Sequence, residues 1–355
     1  MRAVSLWTSI PIVAGVFAVA TFTTAFAGAG KTFGNWTAQC TNGLTCDVSH
    51  FGSSDDPFSV FELQRTSQPN APVRINFALT DREALKDAGT LQITAQADNG
   101  ARIEMPGATI VYDEDNWRWT IGGDLPMDQL IAAMKEGSSL HVAIVGKTAR
   151  IEGNLPLSGM TASLRYIDDQ QGRVDRTDAL EATGSKPPSE YAPASDITAF
   201  KDLPEAVRKD FEADGICSDL EESMFANMEA FIARFENDEV LIGAPCGSPG
   251  AYNAPFALYH GYGDDITTMA LPTMRDGRPG VMTLPYNVSF DYRTRQIEAF
   301  FKGRGIGDCG SYHIWEFVDS EEGLTPTLVK EMEKGDCDGL EDGGPDNWPT
   351  LWPQK

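Results

Sequence analysis

Val60-Phe61-Glu62-Leu63-Gln64 is a short run of apolar and polar side chains bounded by turn residues, and it reads as a β-strand. Working outward, Val73-Arg74-Ile75-Asn76-Phe77, Leu91-Gln92-Ile93-Thr94 and Leu140-His141-Val142-Ala143-Ile144-Val145 are runs of the same kind, separated by Gly, Asp and Asn turns. Several short strands at such spacing predict a sandwich or barrel. Two helices interrupt them. Asp128 to Lys135 has helical spacing and stops near Gly137, and Ser158 is placed to cap a run that closes at Gly172.

Beyond these runs, residues 184–195 are rich in Pro, Ser and Ala without apolar periodicity, which predicts a linker over residues 185–198. After it, Pro204 fits the first turn of a helix reaching about Asp214, with Gly215 as its stop. The chain then returns to strand-like runs: Ala230 to Phe235, Val240 to Gly243, Ile297 to Phe301 and Ile314 to Val318. The expected fold is mainly β (α+β), with two antiparallel β domains of sandwich or barrel type and a few short peripheral helices. The expected division is a signal peptide over 1–27, an N-terminal β domain over 28–184, the linker, and a disulfide-containing β domain over 199–355.

The N-terminus has the parts of an export signal: Arg2, an apolar stretch from Leu6 to Phe22, and Ala25-Phe26-Ala27 as an A-x-A cleavage site. Pro11 interrupts the stretch, which falls short of the ~20 apolar residues that span a bilayer. Cleavage after Ala27 would release a periplasmic or secreted chain with no later transmembrane segment. An oxidising compartment makes sense of six cysteines, an even set that allows fifteen pairings. Order along the chain favours the local solution, Cys40 with Cys46, Cys217 with Cys246 and Cys309 with Cys337. Zinc is disfavoured, because no C-x-x-C pair occurs.

With 52 acidic against 28 basic residues, the formal charge of −24 argues against nucleic acid and anionic lipid surfaces as partners. Four constellations invite a sharper reading. Gly307-Asp308-Cys309-Gly310 has the form found around a cysteine-protease nucleophile, but the even cysteine count favours a half-cystine at Cys309. Gly303-Arg304-Gly305-Ile306-Gly307 reads as a tight β-turn, leaving Lys302 and Arg304 as a small basic spot for an anionic group. The acidic runs at 113–115 and 336–342 lack the calcium-loop pattern and read as solvated turns. Trp36, Trp117, Trp119, Trp315, Trp348 and Trp352, with Tyr252 and Phe256, can stack on a carbohydrate or peptide, although aromatics in β proteins are more often core. His50, His141, His260 and His313 show no ligand spacing, and the sequons at Asn35 and Asn287 matter only in a eukaryotic pathway.

Several strings together resemble a bacterial exported family catalogued as domain of unknown function 1176. They are Asn35-Trp36-Thr37-Ala38-Gln39-Cys40 with Cys46, Leu155-Pro156-Leu157-Ser158-Gly159 continuing to Asp168-Asp169-Gln170-Gln171-Gly172-Arg173, and Pro245-Cys246-Gly247 with Gly250-Ala251-Tyr252-Asn253. Lys302 to Gly310 and Trp348-Pro349-Thr350-Leu351-Trp352 complete the set. Ser248-Pro249 departs from it by lengthening one join. The N-terminal half also resembles the invasion-associated locus B proteins, through its W-x-x-x-C opening and the L-P-L-S-G stretch. The resemblance implies a periplasmic or otherwise extracytoplasmic protein and transfers no activity.

The expectation is therefore a non-enzymatic binding or structural module of the envelope, whose partner is an envelope protein or a cell-wall component. No cofactor, metal or catalytic residue is assigned. The candidates for ligand contact are Lys302, Arg304, Tyr252 and Asn253. Two alternatives follow from the same residues: an inhibitor of a basic hydrolase such as lysozyme, suggested by the acidic charge, and a Cys309-dependent hydrolase.

Overall fold

The computed structural model describes residues 30–353 apart from 87, 236, 276, 322 and 340–343. The expected signal peptide, 1–27, lies outside the described residues. In the N-terminal half the strands are β1 (Lys31–Phe33), β2 (Trp36–Cys40), β3 (Cys46–Phe51), β4 (Phe58–Arg65), β5 (Arg74–Leu79), β6 (Gln92–Ala97), β7 (Ile103–Glu104), β8 (Gly107–Asp113) and β9 (Arg118–Asp124). Helix α1 (Met127–Glu136), strands β10 (Ser139–Val145) and β11 (Arg150–Pro156), and helix α2 (Met160–Gln170) follow. They form one sheet ordered β1-β2-β3-β4-β5-β9-β8 and another ordered β11-β10-β6-β7.

Strand alternation places Phe61 and Leu63 of β4, Ile75 and Phe77 of β5, and Leu140, Val142 and Ile144 of β10 in one buried cluster. Leu130, Ile131 and Met134 of α1 and Met160, Leu164 and Ile167 of α2 pack against the same cluster. Gly137 ends α1 as expected. Ser158 does not cap α2: the N-cap residue is Gly159, with φ 95°, while the Ser158 carbonyl accepts a hydrogen bond from Asn35 N. That position has the left-handed backbone glycine tolerates, so the following residue opens the helix without a side-chain cap.

The second half contains β12 (Ala194–Ile197), helix α3 (Glu205–Arg208), helix α4 (Glu222–Phe225), β13 (Ala230–Arg234), β14 (Glu239–Pro245), β15 (Phe256–Tyr262) and β16 (Asp265–Met269). It continues with β17 (Leu271–Arg275), β18 (Arg278–Met282), β19 (Val288–Asp291), β20 (Gln296–Lys302), β21 (Gly310–Ser320), β22 (Gly323–Lys334) and β23 (Thr350–Trp352). Strands β12 to β16 make a five-stranded sheet, β17 and β18 a hairpin, and β19 to β23 a second five-stranded sheet, each in sequence order. All strand pairings are antiparallel, and none of the five sheets of the described residues closes into a barrel. The mainly β fold expected from the short runs is what the chain adopts.

Two elements differ from expectation. Residues 194–197, inside the segment read as a linker, pair with β13 as β12, and Ala194 is fully buried. Small Ala and Ser side chains fit a strand at a close-packed sheet edge as well as they fit a linker, so composition does not separate the two. The helix expected from Pro204 to Asp214 stops early: α3 gives way to a 3-10 turn over Lys209–Phe211, and the Asp210 carbonyl accepts from Cys217 N. The Cys217–Cys246 disulfide holds that stretch against β14.

Candidate functional site

The two halves meet where the β2–β3 turn enters the second half. Cys40 and Cys46 close this turn as a disulfide, Thr45 N donates to Thr41 Oγ1, and Leu44 takes a left-handed φ of 62°. Leu44 is thereby delivered into the buried cluster of the second half. Asn42, 2% exposed, pins the junction: its Nδ2 donates to Val288 O at 3.0 Å and its Oδ1 accepts from Phe290 N at 2.8 Å.

Beside this junction lies a cleft of about 480 Å³. Its size falls within the ~300–1,000 Å³ of small-molecule sites. One wall comes from α2, where Tyr166 and Gln170, one turn apart, face it while Leu164 and Ile167 face the core. The other wall is a strand face. In β20, Ile297 and Ala299 point into the core, so Glu298, Phe300 and Lys302 share the opposite face. Register sets Ser289 of β19 beside Glu298 and Tyr312 of β21 beside Phe300, and Asp291 lies further along β19. Lys302 Nζ lies 5.6 Å from the centroid of the Phe300 ring, a cation over an aromatic face, and it makes no ion pair among the described residues.

The four sequence candidates are neighbours, but their roles differ. Asn253 clamps the backbone of Lys302, donating to its carbonyl at 2.8 Å and accepting from its N–H at 2.9 Å. Tyr252 lies with its ring against Gly305 and donates from its hydroxyl to Gly303 O at 3.4 Å. Arg304 is a fork on Asp308, whose carboxylate also accepts from Gly339 N. The Arg304 hydrogen bond holds the Asp308 carboxyl well below the usual carboxylate range. Of the four, the side chain lining the cleft is that of Lys302.

Sequence reading missed Tyr166, Gln170, Glu298 and Tyr312. The alternation through β20 is a visible signal for Glu298. The approach of α2 is not, since nothing local links it to residues past 287. Asn287, noted only as a sequon, holds the loop before β19: its Nδ2 donates to Phe300 O and Tyr252 O, and its Oδ1 accepts from Ala254 N.

The cysteines pair locally, Cys40–Cys46, Cys217–Cys246 and Cys309–Cys337. This corrects the alternative of a Cys309-dependent hydrolase: its sulfur is bonded to Cys337, and the residue is 1% exposed. A thiolate nucleophile is therefore not available at that turn. Asp113 accepts from Asn116 Nδ2, Asn116 N and Asp115 N, the geometry of a solvated turn. Among the described residues no group of three or more His, Cys, Asp or Glu is arranged to hold a metal ion. Trp36, Trp119, Trp315 and Trp348 are core, whereas Trp117 and Trp352 are partly exposed. His313 is buried against Glu331 at 3.3 Å, and Glu331 also accepts from Thr273 Oγ1 and Met274 N, tying the β17–β18 hairpin to the sheet. Burial lowers the His313 pKa.

A second hollow, about 450 Å³, lies on the same junction and is lined by Gln64, Asp196 and Glu229 among other polar groups. Burial, reinforced by Asp196, pushes the Glu229 carboxyl up to about 7. Nearby, burial and then Glu62 push Asp47 up to about 8.

A family model described as Protein of unknown function (DUF1176) matches residues 30–355. The chain belongs to this family. The DUF1176 chain is 24% identical over 356 residues to Uncharacterized protein YpfG of Escherichia coli (strain K12), covering 92% of this chain and 93% of that protein. Among solved structures it is similar to invasion associated protein B from Bartonella henselae, at 17% identity and a TM-score of 0.32 over 41% of this chain and 99% of that one. In the DUF1176 fold, the strings quoted above fall on β2 and the junction turn, on the approach to α2 and its C-terminal end, on the loop after β14, on Lys302 at the end of β20 with the turn beyond it, and on β23 with its approach. Three disulfides fit an oxidising compartment. No helix among the described residues is long and apolar enough to cross a membrane, which leaves strand-built spans unaddressed.

Proposed function

We propose that this DUF1176 protein is an exported, non-enzymatic envelope module that binds a cell-wall component in the cleft between α2 and β19–β21. The observation that carries this reading is the lining itself: Tyr166, Phe300 and Tyr312 share the cleft with Lys302, whose ammonium lies over the Phe300 ring and makes no ion pair among the described residues. Such a surface holds a ligand by stacking, hydrogen bonds and one charge. Export is supported by the signal-like N-terminus and by the three disulfides.

The test is calorimetric titration of the mature protein with solubilised cell-wall fragments, alongside Gln170→Trp, which fills the cleft from the end of α2. Saturable binding by the parent, lost in Gln170→Trp at an unchanged thermal midpoint, is the expected result. Absence of saturable binding, or equal binding by the two proteins, ends the proposal.

A further inference from the structure

The geometry points to a ligand class for this cleft: a sugar acid, with its ring face on the aromatic side chains and its carboxylate on Lys302. The inference rests on the cleft being a binding site, as proposed above, and adds what enters it.

Each part of the lining selects one property. Tyr166, Phe300 and Tyr312 are half-buried, so each presents ring surface without being lost in the core. The C–H face of a pyranose is the apolar, flat partner such rings accept. Glu298 and Asp291 are exposed on the same wall; Glu298 Oε2 accepts from the Tyr312 hydroxyl and Asp291 Oδ1 from Arg293 N and Thr294 N, while the second oxygen of each has no hydrogen-bond partner among the described residues. A carboxylate accepts hydrogen bonds and donates none, so the ligand beside these two must carry donors, and a row of hydroxyl groups does. Lys302 calls for one anionic group. Asn253 fixes its backbone from both sides, so the ammonium is presented from a defined point at the end of β20.

The charge of the anion follows from its neighbours. Asp291 and Glu298 lie on the same wall as Lys302, so every negative charge on the ligand beyond the one that Lys302 pairs adds repulsion, and a dianionic phosphate is disfavoured against a monoanion. A fork for phosphate is also missing from the cleft. Arg304, the neighbouring guanidinium, is committed to Asp308 in a two-point pair, with Gly339 N on the same carboxylate. One carboxylate among many hydroxyls is the composition of a uronic or muramic acid unit.

The test uses trigalacturonate, its fully methyl-esterified form and a sugar phosphate as probes, titrated into the mature protein and into Lys302→Gln and Lys302→Arg. The acid is expected to bind about tenfold tighter than the ester, with the advantage shrinking as salt is raised. Lys302→Gln should reduce the acid to the affinity of the ester and leave the ester unchanged, while Lys302→Arg keeps the preference. Equal binding of acid and ester, a preference that survives Lys302→Gln, or tighter binding of the sugar phosphate overturns the assignment. If the three sugars fail while cell-wall fragments still bind the parent and not Gln170→Trp, the ligand class falls and the binding cleft stands. If cell-wall fragments fail as well, both fall together.

Discussion

Asp168 is a carboxylate with no exposed surface, and its two oxygens are fully employed. It accepts from Arg65 Nη2 at 2.7 Å and from the backbone N–H groups of Leu180, Glu181 and Ala182. Arg65, 1% exposed, also donates to Gln171 Oε1 and to Asp178 O, and Arg173 pairs with Asp178 beside it. The stretch Asp168 to Arg173 is thus a buried tie that folds residues 178–182 back onto β4. Asp168→Asn strands the Arg65 charge away from water and is expected to cost about 3–5 kcal/mol in denaturant unfolding. The double variant Arg65→Met with Asp168→Asn should cost clearly less than the sum of the two single changes, because neither charge is left alone. The sequence displays this stretch as a motif but not its purpose, since Arg65 stands 103 residues before Asp168.

At the scale of elements, the cleft depends on where α2 starts. Gly159 has φ 95°, and a Cβ there would lie 1.7 Å from the Phe33 carbonyl oxygen, so β1 and α2 touch backbone to backbone. Gly159→Ala is therefore expected to destabilise by more than the ~1 kcal/mol of backbone preference alone. The displaced α2 carries Tyr166 and Gln170, so affinity for a cleft ligand should fall together with the denaturation midpoint. A normal midpoint with lost binding would contradict this coupling. Strands and the first two helices are legible because their periodicities are local: β4, β5, β6 and β10 fall on the quoted runs, and α1 ends at its expected glycine. The stretch after Pro204 is not, because its end is set by the disulfide at Cys217 rather than by its own spacing.

For the molecule as a whole, buried apolar side chains gather in two clusters, and Leu44 of the first half belongs to the cluster of the second. The Asn42 amide beside it bonds strand β19 from both ends. Asn42→Ala leaves Val288 O and Phe290 N without these partners inside a buried junction. It is expected to cost about 1–3 kcal/mol and to broaden or split the calorimetric transition as the halves uncouple. Acid residues at this junction add a pH dependence. Asp47 and Glu229 are held above the ordinary carboxylate range, at about 8 and about 7. Their neutral forms suit burial, so their contribution is complete at pH below about 4 and is lost as pH rises through those values. The junction should weaken between about pH 4 and pH 8, with Asp47→Asn flattening the decline and exceeding the parent in midpoint at the alkaline end. A parent and variant with parallel pH profiles would remove Asp47 from that role. Two β-rich halves could be read from the sequence. Their junction could not, because the residues that make it are local to nothing.

The pin at Asn42 spans 246 residues to Val288 and 248 to Phe290. Under the proposed export, a chain that emerges N-terminus first therefore brings the Cys40–Cys46 turn into the oxidising compartment before the strand that receives it has followed. During that interval Leu44 has no cluster to enter and the Asn42 amide has neither of its strand partners. Chains halted before β19 has emerged should therefore be the forms that chaperones and proteases find first, which limited proteolysis of C-terminally truncated chains would show.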